Sequence, residues 1–226
     1  MPPDRDPRSS GSPLTEDVDP RVLATSDIFL EALAENAADH PGVCIVSADE
    51  DLDPQRFERR CPDQFIDLGD RSVQAAERAV HAAKEGDPVF LILGDTASLV
   101  SAWPVVRDEI CRRRLNVKLV APRSGFLAKE EIPPPEMVED LAFFRVLPRI
   151  TVVTPADAEE AKRILRWSLR TAGPAYIRLS LYPTKGATRL GEHFEPGRAS
   201  VQNPGWDVAF LASGPLVRIA LDAAEE

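Results

Sequence analysis

The sequence is poor in the residues from which cross-linked or metal-bound folds are built. Its 226 residues include only three cysteines, Cys44, Cys61 and Cys111, and none of them forms a CxxC pair. An odd number of widely spaced cysteines argues against a disulfide framework and against a structural zinc site. This cysteine usage predicts a reducing compartment, so we expect a cytoplasmic protein without a metal centre of its own.

Positive charge and long apolar runs are also scarce. The formal net charge is -10, from 27 Lys and Arg against 37 Asp and Glu. An excess of negative charge disfavours general nucleic-acid binding and docking on an anionic membrane surface. No apolar run approaches the roughly 18 residues of a membrane span, and no signal-peptide core is present. We therefore expect neither a nucleic acid nor a membrane among the partners.

Aromatic residues make up only 6% of the chain, so the core must be built mainly from Ala, Val, Leu and Ile. Residues 1–20 are rich in Pro, Asp, Ser and Arg and are predicted to be a disordered tail. Beyond the tail, helical and strand patterns alternate. Helices are predicted at about 21–38, 72–84, 98–113, 136–147 and 157–170, and strands at 43–46, 65–68, 88–93, 117–120, 151–153 and 175–179.

This alternation predicts an α/β fold with a mainly parallel six-stranded sheet and helices on both faces. The run 88–93 is apolar throughout, which is typical of a strand covered on both faces. We assign this domain to residues 21–180 and the polar, turn-rich stretch 181–205 to a linker. Residues 206–226 add a predicted strand at 208–212 and a helix from 216. One strand and one helix cannot bury their own apolar faces, so this end is interpreted as a docked remnant or as the truncated start of another domain.

Several short segments occur in a distinctive order along the chain. They are DQFIDLG at 63–69, LNVKLV at 115–120 followed by RSG at 123–125, VEDL at 138–141, LPRITV at 147–152, PADAE at 155–159 and GPAYIRL at 173–179. In this order and spacing they resemble the pyrimidine-binding domain of transketolases and of the related deoxyxylulose-phosphate synthases. Residues 207–225 resemble the opening of that family's C-terminal domain. The resemblance implies the family's fold, thiamine diphosphate with Mg²⁺ as cofactor, and ketol transfer as the reaction class.

The resemblance also assigns positions in the site. In the family, a glutamate three residues after a strand-ending glycine drives the cofactor's aminopyrimidine towards its imino form. Here Gly69 matches the glycine and Ser72 stands at the glutamate position, where a hydroxyl cannot supply a carboxylate. Glu77 is either a distant substitute or an ordinary solvated residue, because it lies on another face of the helix. The candidate cofactor-binding residues are Gly69, Gln74, Asp95 and Ser98.

Two further departures from the family pattern follow. The stretch 94–100 lacks the aromatic residues that stack on the pyrimidine, so Trp103 is either a distant stacking residue or a packing residue. Asp95 either lines a polar pocket or caps the next helix. Ile132–Glu136 occupies the place of a loop that carries a histidine in the family, and no histidine remains there. An acidic cluster is interpreted as a solvated loop rather than a cation site: Asp49, Glu50, Asp51 and Asp53.

These observations favour two functions. The first is the pyrimidine-side half of a two-component, thiamine-diphosphate-dependent ketol transferase whose partner subunit brings the diphosphate-binding domain. The second is a non-catalytic structural or regulatory subunit, a pseudoenzyme that pairs with an active partner. A truncated gene product without function is a third interpretation. In the first two cases we expect a homodimer or a hetero-oligomer, with cofactor and Mg²⁺ bound only when a partner completes the site.

Overall fold

The computed structural model describes residues 22–125, 137–188 and 193–225. The predicted tail at 1–20 and the loop segment Ile132–Glu136 lie outside these residues. The strands are β1 Val22–Ala24, β2 Cys44–Ala48, β3 Phe65–Asp67, β4 Val89–Leu93, β5 Val117–Ala121, β6 Thr151–Val153, β7 Ala175–Arg178 and β8 Pro183–Lys185. The helices are α1 Thr25–Asp39, α2 Gln55–Glu58, α3 Ser72–Ala82, α4 Thr96–Val105, α5 Asp140–Arg145, α6 Ala158–Arg170 and α7 Leu216–Glu225.

Six strands form one sheet in the order β3-β2-β4-β5-β7-β6, and every neighbouring pair is parallel. This arrangement confirms the predicted six-stranded α/β fold. All five residues of β4 are buried, as expected for a strand with helices on both sides. β1 and β8 form a separate antiparallel pair, in which Leu23 lies opposite Thr184.

Apolar cores lie on both faces of the sheet. One core packs α3 and α4 against alternate residues of the strands, among them Val46, Leu91 and Leu119. The core on the other face of the sheet packs α1 and α6 against the strand residues that alternate with the first set, including Ile45, Phe90 and Val120. The alanines of α3 are buried against this chain's own sheet: Ala75, Ala76 and Ala79.

Several predicted elements differ from the structure. The first helix begins at Thr25, because Val22–Ala24 pairs as β1 with Pro183–Lys185, and this second strand lies within the predicted linker. The helix predicted from residue 136 covers only Asp140–Arg145 among the described residues. The strand predicted at 208–212 is not formed, since no described strand pairs with it and a lone strand leaves its backbone groups unpaired.

Asp157 ties the chain beyond β7 to the main domain. Its carboxylate caps α6 by accepting a hydrogen bond from the backbone N–H of Glu160, at 2.8 Å. It also accepts from the backbone N–H groups of Ala187 and Thr188, both at 2.7 Å, and from the Thr188 hydroxyl. Burial acts to raise the pKa of Asp157, but these hydrogen bonds outweigh it and hold the pKa below its ordinary value.

Lys118 is fully buried near the amino end of β5, on the side of the sheet away from the strands' carboxyl ends. Its Nζ donates to the carbonyl oxygens of Thr171 and Gly173, at 2.7 and 2.6 Å, just beyond the C-terminus of α6. The ammonium also lies 5.8 Å from the ring centroid of Trp167. Burial lowers the pKa of Lys118 to about 8.

Among the described residues, no helix is long and apolar enough to cross a membrane.

Stability should depend on pH through Lys118. Its pKa is about 8 when folded and 10.5 in a model peptide, so between these values the unfolded chain binds more protons than the folded chain. The contribution of Lys118 to the free energy of unfolding should therefore rise with pH from about 8 to about 10.5, by roughly 3 kcal/mol, against the opposite contribution of buried thiols such as Cys111, whose pKa is raised to about 11. In Lys118→Met this rise should disappear. Urea unfolding of both proteins across this pH range checks the prediction, and equal slopes for the two proteins would contradict it.

Candidate functional site

The order of the strands places a crevice at the carboxyl edge of the sheet. From β2 the chain moves outward to β3 and then returns to the other side of β2 to form β4. The connections at the carboxyl ends of β2 and β4 therefore run in opposite directions and leave a gap between them. In open α/β sheets such a switch point is the usual binding position.

This crevice is small and almost wholly polar. Its volume is about 60 Å³, which leaves room for a few water molecules, whereas ligand pockets typically measure roughly 300–1,000 Å³. Five carboxylate residues, one serine and two small apolar residues line it: Asp49, Glu50, Asp51, Asp70, Asp95, Ser98, Ala48 and Gly94. Among the residues that the structure describes, the lining offers negative charge and hydrogen-bond acceptors, but no aromatic or large aliphatic surface.

Asp49, which lines the crevice, forms an ion pair with Arg123. Asp49 directly follows β2, and its side chain is completely buried. Nη1 and Nη2 of Arg123 donate to its two carboxylate oxygens at 3.0 and 2.6 Å. Burial raises the pKa of Asp49, and the hydrogen bonds from Arg123 act against that rise. The prediction that this acidic segment is a solvated loop is therefore wrong for Asp49, because its carboxylate is buried and accepts two hydrogen bonds from Arg123.

Ser72 begins α3 and is 6% exposed. It is not among the residues that line the crevice, and neither is Gly69, whose φ of 59° lets the chain turn between β3 and α3. Asp70, between them in sequence, does line it. The position predicted for the catalytic acid thus holds a largely buried hydroxyl, and a carboxylate lies two residues earlier.

The other predicted site residues divide into two groups. Gln74 and Glu77 lie on the exposed side of α3, away from its buried alanines. Asp95 and Ser98 line the crevice together. The Asp95 carboxylate also caps α4, accepting from the Ser98 backbone N–H at 2.6 Å, so both interpretations of Asp95 apply.

Trp103 packs on α5 rather than facing the crevice. Its ring meets Phe143 and Phe144 edge-on, at centroid distances of 5.6 and 5.9 Å. Phe144 in turn stacks on Tyr176, at 3.9 Å. This row of aromatic rings belongs to the core, in agreement with the interpretation of Trp103 as a packing residue.

In the part of the chain that the structure describes, no three His, Cys, Asp or Glu side chains are arranged to hold a metal ion.

A second polar cluster lies where β5 and β7 end. The Asp140 side chain is completely buried, and its Oδ2 accepts from the Tyr176 hydroxyl at 2.6 Å and from Arg178 Nε at 2.7 Å. Burial, together with the neighbouring Asp140, raises the pKa of Tyr176 well above its ordinary value, so the hydroxyl stays protonated and donates. Oδ1 of Asp140 has no hydrogen-bond partner among the described residues.

Sequence reasoning missed the two buried ion pairs. Arg123 and Arg178 were seen only as parts of the matching segments RSG and GPAYIRL, and Asp140 only as part of VEDL. One signal was available: each arginine lies at or just after the carboxyl end of a predicted buried strand, where a charge requires a partner. Which carboxylate would supply that partner could not be read from sequence spacing, because 74 and 38 residues separate the two pairs.

The parallel sheet with its carboxyl-edge switch point defines the chain as a doubly wound α/β domain. Within that class, residues 21–182 match the family model described as transketolase, pyrimidine binding domain. The match covers well over half of the chain. The chain therefore belongs to the transketolase pyrimidine-binding domain family.

The chain is also similar to individual members. It is 30% identical to a 1-deoxy-D-xylulose-5-phosphate synthase of Symbiobacterium thermophilum over 91% of this chain and 32% of that protein. It is 28% identical, over 86% of its length, to a Methanocaldococcus jannaschii protein named as a transketolase C-terminal section, of which it covers 63%. A solved structure described as a split-gene transketolase, inactive beta4 tetramer, also aligns with this chain (here beta4 refers to subunits, not to the strand). The TM-score is 0.80 and the identity 29%, and the alignment covers 90% of this chain and 67% of that chain. The chain thus spans about a third of the synthase and less than two thirds of the transketolase section.

Substitution of Asp140 should destabilise the fold. Asp140→Asn leaves Arg178 and Tyr176 without a charged acceptor in a buried place, so we expect a loss of about 3 kcal/mol in the free energy of unfolding. Tyr176→Phe, the matched control, removes the tyrosine hydroxyl but keeps the ion pair between Asp140 and Arg178, and it should cost about 1 kcal/mol. Urea unfolding of both variants checks this, and an Asp140→Asn loss no larger than that of Tyr176→Phe would contradict it.

Proposed function

We propose that this chain is the pyrimidine-side subunit of a two-component transketolase-like assembly, in which it does not supply the catalytic acid. The observation that carries the proposal is the serine at residue 72, within a domain that keeps the family's fold. The subunit contributes the folded domain and a contact surface, and a partner brings the diphosphate-binding half. This is the non-catalytic, structural or regulatory role among the functions that the sequence favours.

The residues at the crevice do not fit the aminopyrimidine of thiamine diphosphate. That ring requires a carboxylate beside its nitrogen and an apolar or aromatic surface against its face. The crevice offers about 60 Å³ lined mainly by carboxylates, and its most buried carboxylate already holds Arg123. Ser72 cannot give a proton to a ring nitrogen as a carboxylic acid does. We therefore derive no catalytic step through this cofactor in the isolated chain.

Assembly with other subunits is supported by two observations. A related solved structure is described as a split-gene transketolase in the form of an inactive tetramer, so a similar chain associates with its own copies. On the present chain, α4 exposes Val100, and α5 with the residue that follows it exposes Phe143 and Val146, of which Phe143 contacts Trp103. Exposed apolar patches of this kind mark contact surfaces.

A second candidate function is an active two-component ketol transferase. One observation favours it: Asp70 lines the crevice two residues before the position of the missing glutamate. A partner chain that reshaped the crevice could bring this carboxylate to the ring. Asp70→Asn should then abolish ketol transfer by the complex, whereas under the non-catalytic proposal it should leave any activity of the complex unchanged.

The two functions are separated by calorimetry with thiamine diphosphate and Mg²⁺. The chain is titrated alone and in a mixture with a subunit that carries the diphosphate-binding domain, and native mass spectrometry follows complex formation. The proposal predicts a stable complex in which this chain adds no cofactor site. A stoichiometric cofactor site that appears only in the mixture, together with ketol transfer, would instead establish the active enzyme.

The variant Ser72→Glu tests the missing acid directly. It restores a carboxylate at the position that the resemblance assigns to the catalytic residue, and Ser72→Gln is the matched control of similar size without the charge. Because the crevice itself does not fit the ring, we expect cofactor affinity of the complex to change less than about threefold in both variants, within about 0.7 kcal/mol. A gain of tenfold or more in Ser72→Glu alone would show that only the acid was missing.

A further inference from the structure

Residues 206–219 expose a large apolar surface that the proposed function does not use. Large apolar side chains in this short stretch lie outside both cores: Trp206, Val208, Phe210, Leu211, Leu216 and Ile219. Together they expose on the order of 800 Å², given that a large aromatic side chain presents about 150–250 Å². The largest apolar patch on a typical monomer covers roughly 300–600 Å². The size of this surface, called here the 206–219 surface, therefore indicates a contact with another molecule.

Gly214 holds this surface at a fixed place on the domain. Gly214 is buried and has a φ of 63°, and a Cβ there would lie only 2.6 Å from Oγ1 of Thr154, directly after β6. The helix α7 follows at once, and its partly buried residues Val217 and Leu221 line a groove against the main domain. Leu216 and Ile219 of the same helix remain exposed. The exposed apolar residues thus flank an anchored point of the chain.

The backbone of the 206–219 surface also lacks partners. Residues 208–212 read VAFLA, a run whose aromatic and β-branched residues favour a strand. In the part of the chain that the structure describes, no backbone–backbone hydrogen bond joins residues 206–213 to another segment. The edge strands of the sheet, β3 and β6, do not pair with this run either. A run of this kind can be completed by a strand from another chain.

We propose that a second copy of this chain covers the 206–219 surface. The two runs 208–212 pair as antiparallel strands about a two-fold axis, and the exposed residues of α7 pack beside them. When the runs align in full, Phe210 lies opposite Phe210 of the second copy, and Val208 lies opposite Ala212. The contact is separate from the exposed apolar residues of α4 and α5, and it does not rest on the proposed function.

Charge and symmetry favour a second copy as the occupant. The chain has a net charge of -10, so two copies repel each other over most of their surfaces. Within residues 206–219 the charged side chains are Asp207 and Arg218, which sum to zero, and Arg218 pairs with Asp222 of its own helix. Two copies can therefore meet here without bringing like charges together.

A second copy also supplies what the surface lacks. It brings an identical unpaired run, so each copy satisfies the backbone groups of the other in a self-complementary contact. The apolar area on each copy is about the 800 Å² that each partner buries in a standard interface. A strongly charged partner would find no complementary charge at this place.

Analytical ultracentrifugation of the full chain tests the contact. The wild type should sediment as a dimer or a larger oligomer at about 100 µM, and Leu211→Glu should raise the dissociation constant about tenfold or more, because it brings two carboxylates into an apolar contact. Leu211 is 96% exposed, so at high dilution the variant should melt within about 2 °C of the wild type. Val146→Glu, the matched control, changes a residue that is 70% exposed elsewhere and should leave the dissociation constant unchanged.

Hydrogen exchange and cross-linking test the strand pairing. The backbone amides of residues 208–212 should exchange slowly in concentrated wild type, but rapidly in dilute wild type and in Leu211→Glu. Under mild oxidation, Phe210→Cys should form a disulfide-linked dimer, whereas Val201→Cys, at an exposed position outside the run, should not. Rapid exchange of these amides at every concentration would contradict the pairing.

Three other results would overturn the proposal. One is a wild type that stays monomeric at about 100 µM. The second is an oligomer that Leu211→Glu and Val146→Glu weaken equally. The third is a monomer in which Leu211→Glu abolishes binding to the subunit that carries the diphosphate-binding domain, because the surface would then belong to that subunit. The cofactor titration of the mixture tests the proposed function separately from all of these.

Discussion

The carboxyl ends of six parallel strands lie along a single edge of the sheet, and the polar chemistry of the candidate site depends on that geometry. Helices on both faces exclude water from the strands, so a charge at a strand end must find its partner along the same edge. Asp49 finds Arg123 there, and Asp140 finds Arg178. Both pairs join residues that are far apart in sequence, and each lies where neighbouring strands end.

The same geometry explains how a chain can keep the family's fold without keeping the family's catalytic side chains. The sheet and its two cores require apolar strands and small helix residues such as Ala75 and Ala79, and the chain keeps them. Catalysis requires particular side chains at the ends of strands, where a substitution leaves the cores intact. Under the proposed function, Ser72 at the first turn of α3 is such a substitution, and the subunit keeps its assembly role without the acid.

Arg123 offsets the cost of burying a negative charge at this edge. Asp49 lies beside the other carboxylates that line the crevice, and its side chain is completely buried. The two hydrogen bonds from Arg123 supply the opposite charge that such a carboxylate requires.

The sequence by itself determined the α/β class, the parallel sheet, the family and most element boundaries, because buried strands and amphipathic helices leave periodic patterns that are local in sequence. The resemblance assigns Ser72 to the acid position, and this assignment stays a prediction. The sequence predicted a strand at 208–212 that is not formed, since a strand exists only beside another strand. Only the tertiary structure decided that Asp49 is buried, that Arg123 lies over Gly94 and that Lys118 caps the end of α6. These contacts join residues dozens of positions apart, and the charge of a side chain does not tell which distant partner the fold will bring to it.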